Sequence, residues 1–213
     1  MKVTVVGLGK IGLPLAVQFA RSGMEVLGAD VNQAVVDLVN AGAEPFPGEA
    51  QQADYLAGVV ASGHLKATTD TTAAVSESDA VIVVVPLFVD DEARPDFGWM
   101  DSATDAIAAG LRADNDTLVV YETTLPVGTT RTRWKPRLEE KSGLVEGQDF
   151  HLVFSPERVL TGRVFADLRK YPKLLGGLGP TGTEKAIAFY KEALQFDDRP
   201  DLERGNGVWD LGS

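Results

Sequence analysis

The chain has 213 residues, 44% of them hydrophobic, which is ordinary globular composition and enough for one large domain or two small ones. Its 20 Lys and Arg against 31 Asp and Glu give a net charge of −11, which argues against a broad nucleic-acid or anionic-membrane interface. The chain has no cysteine, which excludes disulfides, thiolate metal sites and a cysteine nucleophile within these residues. No segment resembles a secretory signal or a membrane span, so we expect a cytoplasmic protein without membrane or nucleic-acid partners.

Short strands alternate with amphipathic helices through the first half of the chain. Continuous apolar or β-branched runs predict strands, and apolar residues on a helical period predict helices. The predicted strands are 3–6, 25–30, 65–68, 79–85 and 117–121. The predicted helices are 11–21, 32–41, 55–61 and 102–111, with turn-rich segments at 45–48 and 88–98.

The second half continues the same alternation. It contains a predicted helix 129–141 kinked by Pro136, strands 151–154 and 173–176, and a helix 184–194, with a polar segment at 197–207. A basic cluster at 131–137 has helical spacing and predicts a solvated face. Alternating strands and helices predict an α/β fold: a single Rossmann-like domain with a doubly wound, mostly parallel sheet and right-handed crossovers.

A glycine-rich turn joins the first strand to the first helix. Gly7, Gly9 and Gly12 match G-x-G-x-x-G, and Asp30 ends the second strand 18 residues beyond Gly12. This context is the one that a dinucleotide-binding fingerprint requires. The first glycine permits the tight turn, the second lets a pyrophosphate approach, and the third lets helix and strand pack closely. The competing interpretation is a glycine turn that only packs a helix on a sheet.

The residues around this turn also indicate which dinucleotide binds. Lys10 and Ile11 lie at the helix start, where free N–H groups would face the phosphates. Asp30 can accept hydrogen bonds from the adenosine ribose, would repel a 2′-phosphate, and is not followed by an arginine. We therefore predict NAD as the cofactor in preference to NADP.

Three longer strings carry a family resemblance. They are I-G-L-P-L-A at 11–16, E-T-T-L-P-V-G-T-T at 122–130 and S-P-E-R-V-L at 155–160. Together they resemble the amino-terminal NAD-binding domain of the UDP-glucose/GDP-mannose dehydrogenase family, over essentially the whole chain. The resemblance implies an NAD-binding core at 1–125 and an extension at 126–213. It also implies that the family's central helix and its second, cysteine-bearing domain are absent from this chain.

The resemblance implies a reaction and roles for particular residues. The family oxidises the C6 alcohol of a sugar nucleotide to a carboxylate with two NAD, through a cysteine-bound thiohemiacetal and thioester. Thr124 matches the threonine that helps hold a catalytic water beside the cofactor, and Glu157 matches the glutamate that assists proton transfer. Pro86 follows the fourth strand, where the nicotinamide is expected. Glu157, Arg158 and Val159 are the expected substrate-binding residues.

Departures from the family pattern narrow the expectation. The UDP-glucose branch usually carries a second glutamate where this chain has Thr161, and P-E-R-V-L resembles the branch that oxidises UDP-N-acetyl-mannosamine and related N-acetylhexosamines. The expected ligands are therefore NAD and a UDP-sugar, and the full-length enzyme is expected to be a homodimer or larger. Without a cysteine, the chain is expected to bind NAD but not to complete the oxidation.

Other interpretations stay open at this point. The chain could be a stand-alone NAD-sensing module, or part of a hydroxyacid or 6-phosphogluconate type of dehydrogenase. Thr124 could be an ordinary helix cap and Glu157 a solvated loop charge, and Arg158 could bind a phosphate or substrate oxygen or pair with Asp167 or Glu157. His64 and His151 lack metal-ligand spacing, so no metal site is predicted.

Overall fold

Ten strands are present in a computed structural model that describes residues 1–212. In chain order they are β1 (Lys2–Val6), β2 (Glu25–Ala29), β3 (Leu65–Thr68), β4 (Ala80–Val83), β5 (Phe88–Val89), β6 (Pro95–Asp96), β7 (Thr117–Tyr121), β8 (Phe150–Phe154), β9 (Lys173–Gly177) and β10 (Val208–Asp210). Eight of them form one sheet in the order β10-β9-β8-β7-β4-β1-β2-β3, and β5 pairs with β6 in a separate hairpin.

Eight α-helices are formed by residues 1–212. They are α1 (Gly12–Arg21), α2 (Gln33–Asn40), α3 (Gln52–Ala61), α4 (Thr71–Ser76), α5 (Gly98–Gly110), α6 (Lys135–Ser142), α7 (Val164–Lys170) and α8 (Pro180–Ala193), and a π-helical turn (Thr130–Trp134) precedes α6. None of the helices formed by residues 1–212 combines the length and hydrophobicity that crossing a bilayer requires.

Apolar side chains cover both faces of the sheet. One buried cluster joins the sheet to α1, α2, α3, α7 and α8, and a second joins the opposite face to α4, α5 and α6. Successive strand residues alternate between the two clusters: Val5 and Ile82 belong to the first, Val6 and Val83 to the second. Burial on both faces explains why these strands read as continuous apolar runs, and the predicted doubly wound α/β fold is confirmed.

The direction of the strands decides which residues meet at each edge of the sheet. The pairs β1–β2, β2–β3, β1–β4, β4–β7, β7–β8 and β9–β10 are parallel. The pair β8–β9 is antiparallel, with Phe154 opposite Gly176. The first residue of β9, Lys173, therefore lies at the edge where β8 ends.

The predicted helix 129–141 is present, with one irregularity before Pro136. Residues 130–134 form a π-helical turn, in which the Lys135 N–H donates to the carbonyl of Thr130, and α6 begins only at Lys135. Pro136 has no N–H to continue the α-helical ladder, and it lies in the first turn of α6, where that N–H is not needed. Thr129, Trp134 and Lys135 all have right-handed helical backbone angles, so the π-helical turn and α6 form one continuous helical segment.

The basic cluster on this segment is not simply a solvated face. Arg133 and Arg137 form paired hydrogen bonds with Asp101 and Asp105 of α5, at distances from 2.6 to 3.0 Å. These side chains are partly buried, so the ion pairs tie the π-helical turn and α6 to α5. The two arginines are thereby occupied by carboxylates of the same chain.

Several short elements were not predicted from the sequence. They are α4, α7, β10 and the β5–β6 hairpin. Helices of six or seven residues are too short for a helical period to stand out, and β10 is a three-residue strand that exists by pairing with β9. The cap of α4 is nevertheless clear, because Asp70 accepts a hydrogen bond from the Ala73 N–H.

Trp134 is the largest fully buried side chain and provides a test of the second cluster. Its ring stacks on Tyr121 at 5.4 Å between centroids. Replacing Trp134 with Ala is expected to lower the free energy of unfolding by about 3–5 kcal/mol, because the cavity cannot be refilled. Trp99, which is 62% exposed, is the matched control, and Trp99→Ala should cost less than about 1 kcal/mol. Urea denaturation measures both, and equal losses would contradict this packing.

Candidate functional site

The predicted site residues lie along one edge of the sheet. Because β1, β2, β4, β7 and β8 are all parallel, the residues that follow their carboxyl ends line the same edge. Those residues include Gly7, Asp30, Pro86, Thr124 and Glu157. In open α/β sheets, ligands bind in the crevice at this edge.

The glycine turn is shaped by two close contacts. Gly7 has a φ of +94° and donates its N–H to the carbonyl of Ala29 at 2.8 Å. A Cβ on Gly12 would lie 1.8 Å from the carbonyl oxygen of Gly7, so no other residue fits there. A Cβ on Gly9 would have no neighbour within 4 Å, so the chain itself gives no reason for that glycine. The open space above Gly9 suits a ligand that approaches the backbone.

The start of α1 offers unpaired amides beside this space. Among residues 1–212, no acceptor is found for the N–H groups of Lys10, Ile11 and Gly12, and no side chain caps the helix. The Lys10 side chain is exposed, and Ile11 packs partly against the core. Free amides at a positive helix end favour a phosphate group.

Asp30 is held in a fixed orientation next to the turn. Its Oδ2 accepts a hydrogen bond from the Leu8 N–H at 2.8 Å, and its Oδ1 accepts one from the Asn32 N–H at 2.9 Å. The carboxylate borders a cleft of about 310 Å³ whose other walls include Val31, Pro86 and Trp99. Val31 is 92% exposed, so apolar surface is available here for the flat face of a base.

Glu157 lies in a buried ionic cluster that the sequence did not reveal. Its Oε2 is 2.6 Å from the Nζ of Lys173, and the same ammonium is 2.8 Å from Oε2 of Glu122. Tyr190 donates its hydroxyl to Oε1 of Glu122 at 2.5 Å. Only 10% of the Glu157 side chain is exposed, against 4% for Lys173 and none for Glu122. Glu157 is therefore not a solvated loop charge.

The pKa values of the two carboxylates in this cluster are shifted in opposite directions. Burial raises the pKa of Glu122 to about 7; the attraction of Lys173 opposes the rise and the charge of Glu157 adds to it. Burial also acts to raise the pKa of Glu157, but Lys173 outweighs it and holds that pKa below its usual value. For Lys173, burial acts to lower the pKa, while the two carboxylates overcome this and raise it. The ammonium therefore stays charged.

The other predicted residues follow the carboxyl ends of β4, β7 and β8. Thr124 and Pro86 are exposed at the sheet edge, and Val159 packs partly against the core. The Arg158 guanidinium donates to the carbonyl of Pro172, and its backbone N–H donates to Oε1 of Glu157 at 2.7 Å. Its guanidinium does not pair with Asp167.

Glu122, Lys173 and Tyr190 are the residues that sequence reasoning missed. A signal for the first was present, since Glu122 directly follows a fully buried strand and is itself completely buried. Lys173 likewise opens an apolar strand. Charged residues are almost never fully buried unless they are paired, so two of them beside apolar strands indicate a shared ionic site.

The fold and the turn define a nucleotide-binding α/β domain of the Rossmann type, and comparison with known proteins specifies it further. Residues 1–194 match the profile described as the UDP-glucose/GDP-mannose dehydrogenase family, NAD binding domain. The chain belongs to this family, and NAD is the cofactor of its domain.

Individual relatives agree with this assignment. A UDP-N-acetyl-D-mannosamine dehydrogenase from Campylobacter jejuni is 39% identical over 204 residues, covering 91% of this chain and 48% of the relative. The structure of a UDP-D-ManNAc dehydrogenase from Pyrococcus horikoshii superposes with a TM-score of 0.88 at 29% identity, covering 100% of this chain and 47% of that one. A GDP-mannose dehydrogenase from Pseudomonas aeruginosa also gives 0.88, at 25% identity and with 99% and 46% coverage. The chain therefore spans about half the length of these relatives. Because dehydrogenases of different sugar nucleotides superpose equally well, the fold alone does not identify the sugar.

Two glycines provide a test of the turn. Gly12→Ala is expected to lower the free energy of unfolding by about 2–4 kcal/mol, because its Cβ meets a backbone carbonyl. Gly9→Ala should change stability by less than about 1 kcal/mol yet weaken NAD binding about tenfold or more, because its Cβ occupies the phosphate's place. Chemical denaturation and calorimetric NAD titration separate the two effects. Full NAD affinity in Gly9→Ala would show that the pyrophosphate lies elsewhere.

Proposed function

We propose that the chain is the NAD-binding half of a nucleotide-sugar dehydrogenase. The enzyme would oxidise the C6 alcohol of a UDP-sugar to a carboxylate with two NAD, and a UDP-N-acetylhexosamine such as UDP-N-acetyl-mannosamine is the proposed substrate. One observation carries the proposal. Open space above Gly9 and free backbone amides lie beside the carboxylate of Asp30, which a hydrogen bond from Leu8 holds in place. The names of the similar dehydrogenases support the choice of sugar.

The residues at the sheet edge fit NAD in a definite order. Asp30 and the cleft beside Val31 would receive the adenosine, with the ribose hydroxyls donating to the carboxylate. The amides of Gly9, Lys10, Ile11 and Gly12 would receive the pyrophosphate, with Gly7 forming the turn beneath them. Pro86 and Thr124, further along the same edge, would border the nicotinamide. When bound, NAD supplies a hydride acceptor.

The substrate's reacting carbon is proposed to lie over the ends of β7 and β8. Glu157 would accept the proton of the C6 alcohol, and Thr124 would orient a water for the later hydrolytic step. The backbone of Arg158 and Val159 follows Glu157 directly and would hold the sugar nucleotide. The partial exposure of Glu157, 10% of its side chain, supports this role, because a fully closed carboxylate could not reach a substrate.

The remaining parts of the enzyme would come from outside residues 1–213. A cysteine is needed to hold the aldehyde between the two hydride transfers, and this chain has none. We therefore assign 1–125 as the cofactor core and 126–213 as an extension that carries Glu157, with a second domain contributed by further sequence. A cytoplasmic location and a homodimeric or larger full-length enzyme stay predictions.

Asp30 provides the direct test of the adenosine position. Asp30→Ala is expected to weaken NAD binding by about 1–3 kcal/mol, roughly 5- to 150-fold, because the ribose hydroxyls lose their acceptor. It should also narrow the preference for NAD over NADP, because the charge that repels a 2′-phosphate is gone. Calorimetric titration with both cofactors measures these changes.

Asp37, an exposed acid on α2, is the matched control for the loss of one negative charge. Asp37→Ala should leave NAD affinity within about twofold of the original value, as expected for a surface site. Asp30→Asn, which keeps one acceptor oxygen, should retain part of the affinity. An unchanged affinity of Asp30→Ala for NAD would contradict the proposal that Asp30 binds the adenosine ribose.

The isolated chain should bind NAD without producing NADH. Calorimetry should detect NAD binding, while absorbance should show no NADH after addition of UDP-N-acetyl-mannosamine, because no cysteine is present. A longer chain that includes a cysteine-bearing second domain should restore NADH production. Catalytic NADH formation by residues 1–213 alone would contradict the proposal, and NAD binding without activity in the longer chain would favour a sensing module.

A further inference from the structure

Lys173 bridges two carboxylates that follow different strands, β7 and β8. Its Nζ lies 2.6 Å from Glu157 and 2.8 Å from Glu122, and 4.7 Å from the centroid of the Tyr190 ring. The backbone links the same two acids, since the Glu157 N–H donates to the Glu122 carbonyl at 2.8 Å. This meeting depends on the antiparallel direction of β9, which carries Lys173 to the edge where β7 and β8 end.

The charges in this cluster do not balance. The titratable groups facing Glu122 are Lys173 from β9, Tyr190 from α8 and Glu157 from the segment after β8. With both acids ionised, two negative charges share one ammonium, and one net negative charge is buried. The guanidinium of Arg158 binds the Pro172 carbonyl instead of either acid. A buried excess charge is unfavourable, so the cluster has a site for one more proton.

We propose that Glu122 and Glu157 act as one carboxylate pair that takes up a single proton, with Glu122 as the positioning residue that lets Glu157 accept the substrate's proton at neutral pH. Without Glu122, Lys173 would belong to Glu157 alone, and a carboxylate in a closed ion pair is a poor base. With Glu122 present, protonation of the pair converts a net charge of −1 into neutrality.

The proton can move through the cluster with every charge accounted for. As the C6 hydride leaves for NAD, the O–H bond breaks and its proton passes to Glu157. Lys173 then gives one proton to Glu122 and regains one from Glu157, so the ammonium is unchanged and Glu157 is again ionised. The end state agrees with the pKa of about 7 at Glu122, which burial raises, and with the low pKa of Glu157, where Lys173 outweighs burial. Tyr190, whose pKa burial raises well above its usual value, keeps its proton and donates to Glu122.

This inference rests on the proposed function only for the substrate, so it can be tested without substrate. Carboxyl carbons of glutamate are followed by NMR against pH in the isolated chain. The unsubstituted chain should show one protonation step near neutral pH that moves the signals of both Glu122 and Glu157. Two independent steps in the ordinary acidic range would overturn the proposal, whether or not NAD binds in a separate titration.

Variants identify the source of that step. Glu122→Gln should abolish the step near neutrality and leave Glu157 ionised to low pH, and Tyr190→Phe should move the step to higher pH. The control is Glu146→Gln, which alters a mostly buried glutamate beside Lys135 and should leave the step unchanged. A near-neutral step at Glu157 that persists in Glu122→Gln would overturn the proposal.

The longer, cysteine-bearing chain provides a second readout. There, Glu122→Gln should lower kcat, leave the KM for the UDP-sugar unchanged, and shift the acidic limb of the pH–rate profile down by about one pH unit or more. A lower kcat with an unmoved acidic limb would mean that Glu122 only supports the fold.

Discussion

The close contact between Gly12 and the carbonyl of Gly7 is the constraint on which the site depends. Because Gly12 has no Cβ, α1 can begin directly against the turn that follows β1. Its free amides therefore point out of the carboxyl edge of the sheet. The hydrogen bond from the Leu8 N–H to Asp30 then ties the end of β2 to the same turn. The proposed phosphate and ribose positions are thereby fixed relative to each other.

Strand direction distributes the chemistry along that edge. Parallel strands bring Asp30, Pro86, Thr124 and Glu157 into one line, so a dinucleotide can lie across the first strands with its reactive end over the later ones. The single reversal, at β9, adds a cation that parallel winding would have placed at the opposite edge. One change of strand direction thus gives the sheet a buried cluster of two carboxylates and one ammonium.

The sequence predicted those features that local patterns determine. The glycine turn, Asp30 and most strand positions depend on neighbouring residues, and they are found where expected. The ionic cluster depends on residues that are far apart in the chain and meet only through the packing of β9 and α8. The motif around Glu157 was recognised in the sequence. Its burial beside Lys173 and Glu122, which sets its pKa, is visible only in the structure. A charged residue beside an apolar strand indicates a buried ion pair, but no local pattern identifies its partner.

The lack of a cysteine and the half-length match both fit the proposal that this chain supplies one part of the catalytic machinery. This chain carries the glycine turn and the proposed proton acceptor, Glu157, and it spans about half of each similar dehydrogenase. Backbone amide NMR of the chain titrated with NAD tests the account most directly. The largest shifts are predicted at Gly9, Lys10, Ile11 and Gly12, with further changes at Asp30 and the Trp99 indole. Largest shifts at the opposite edge of the sheet, around His64 and Lys66, would contradict it.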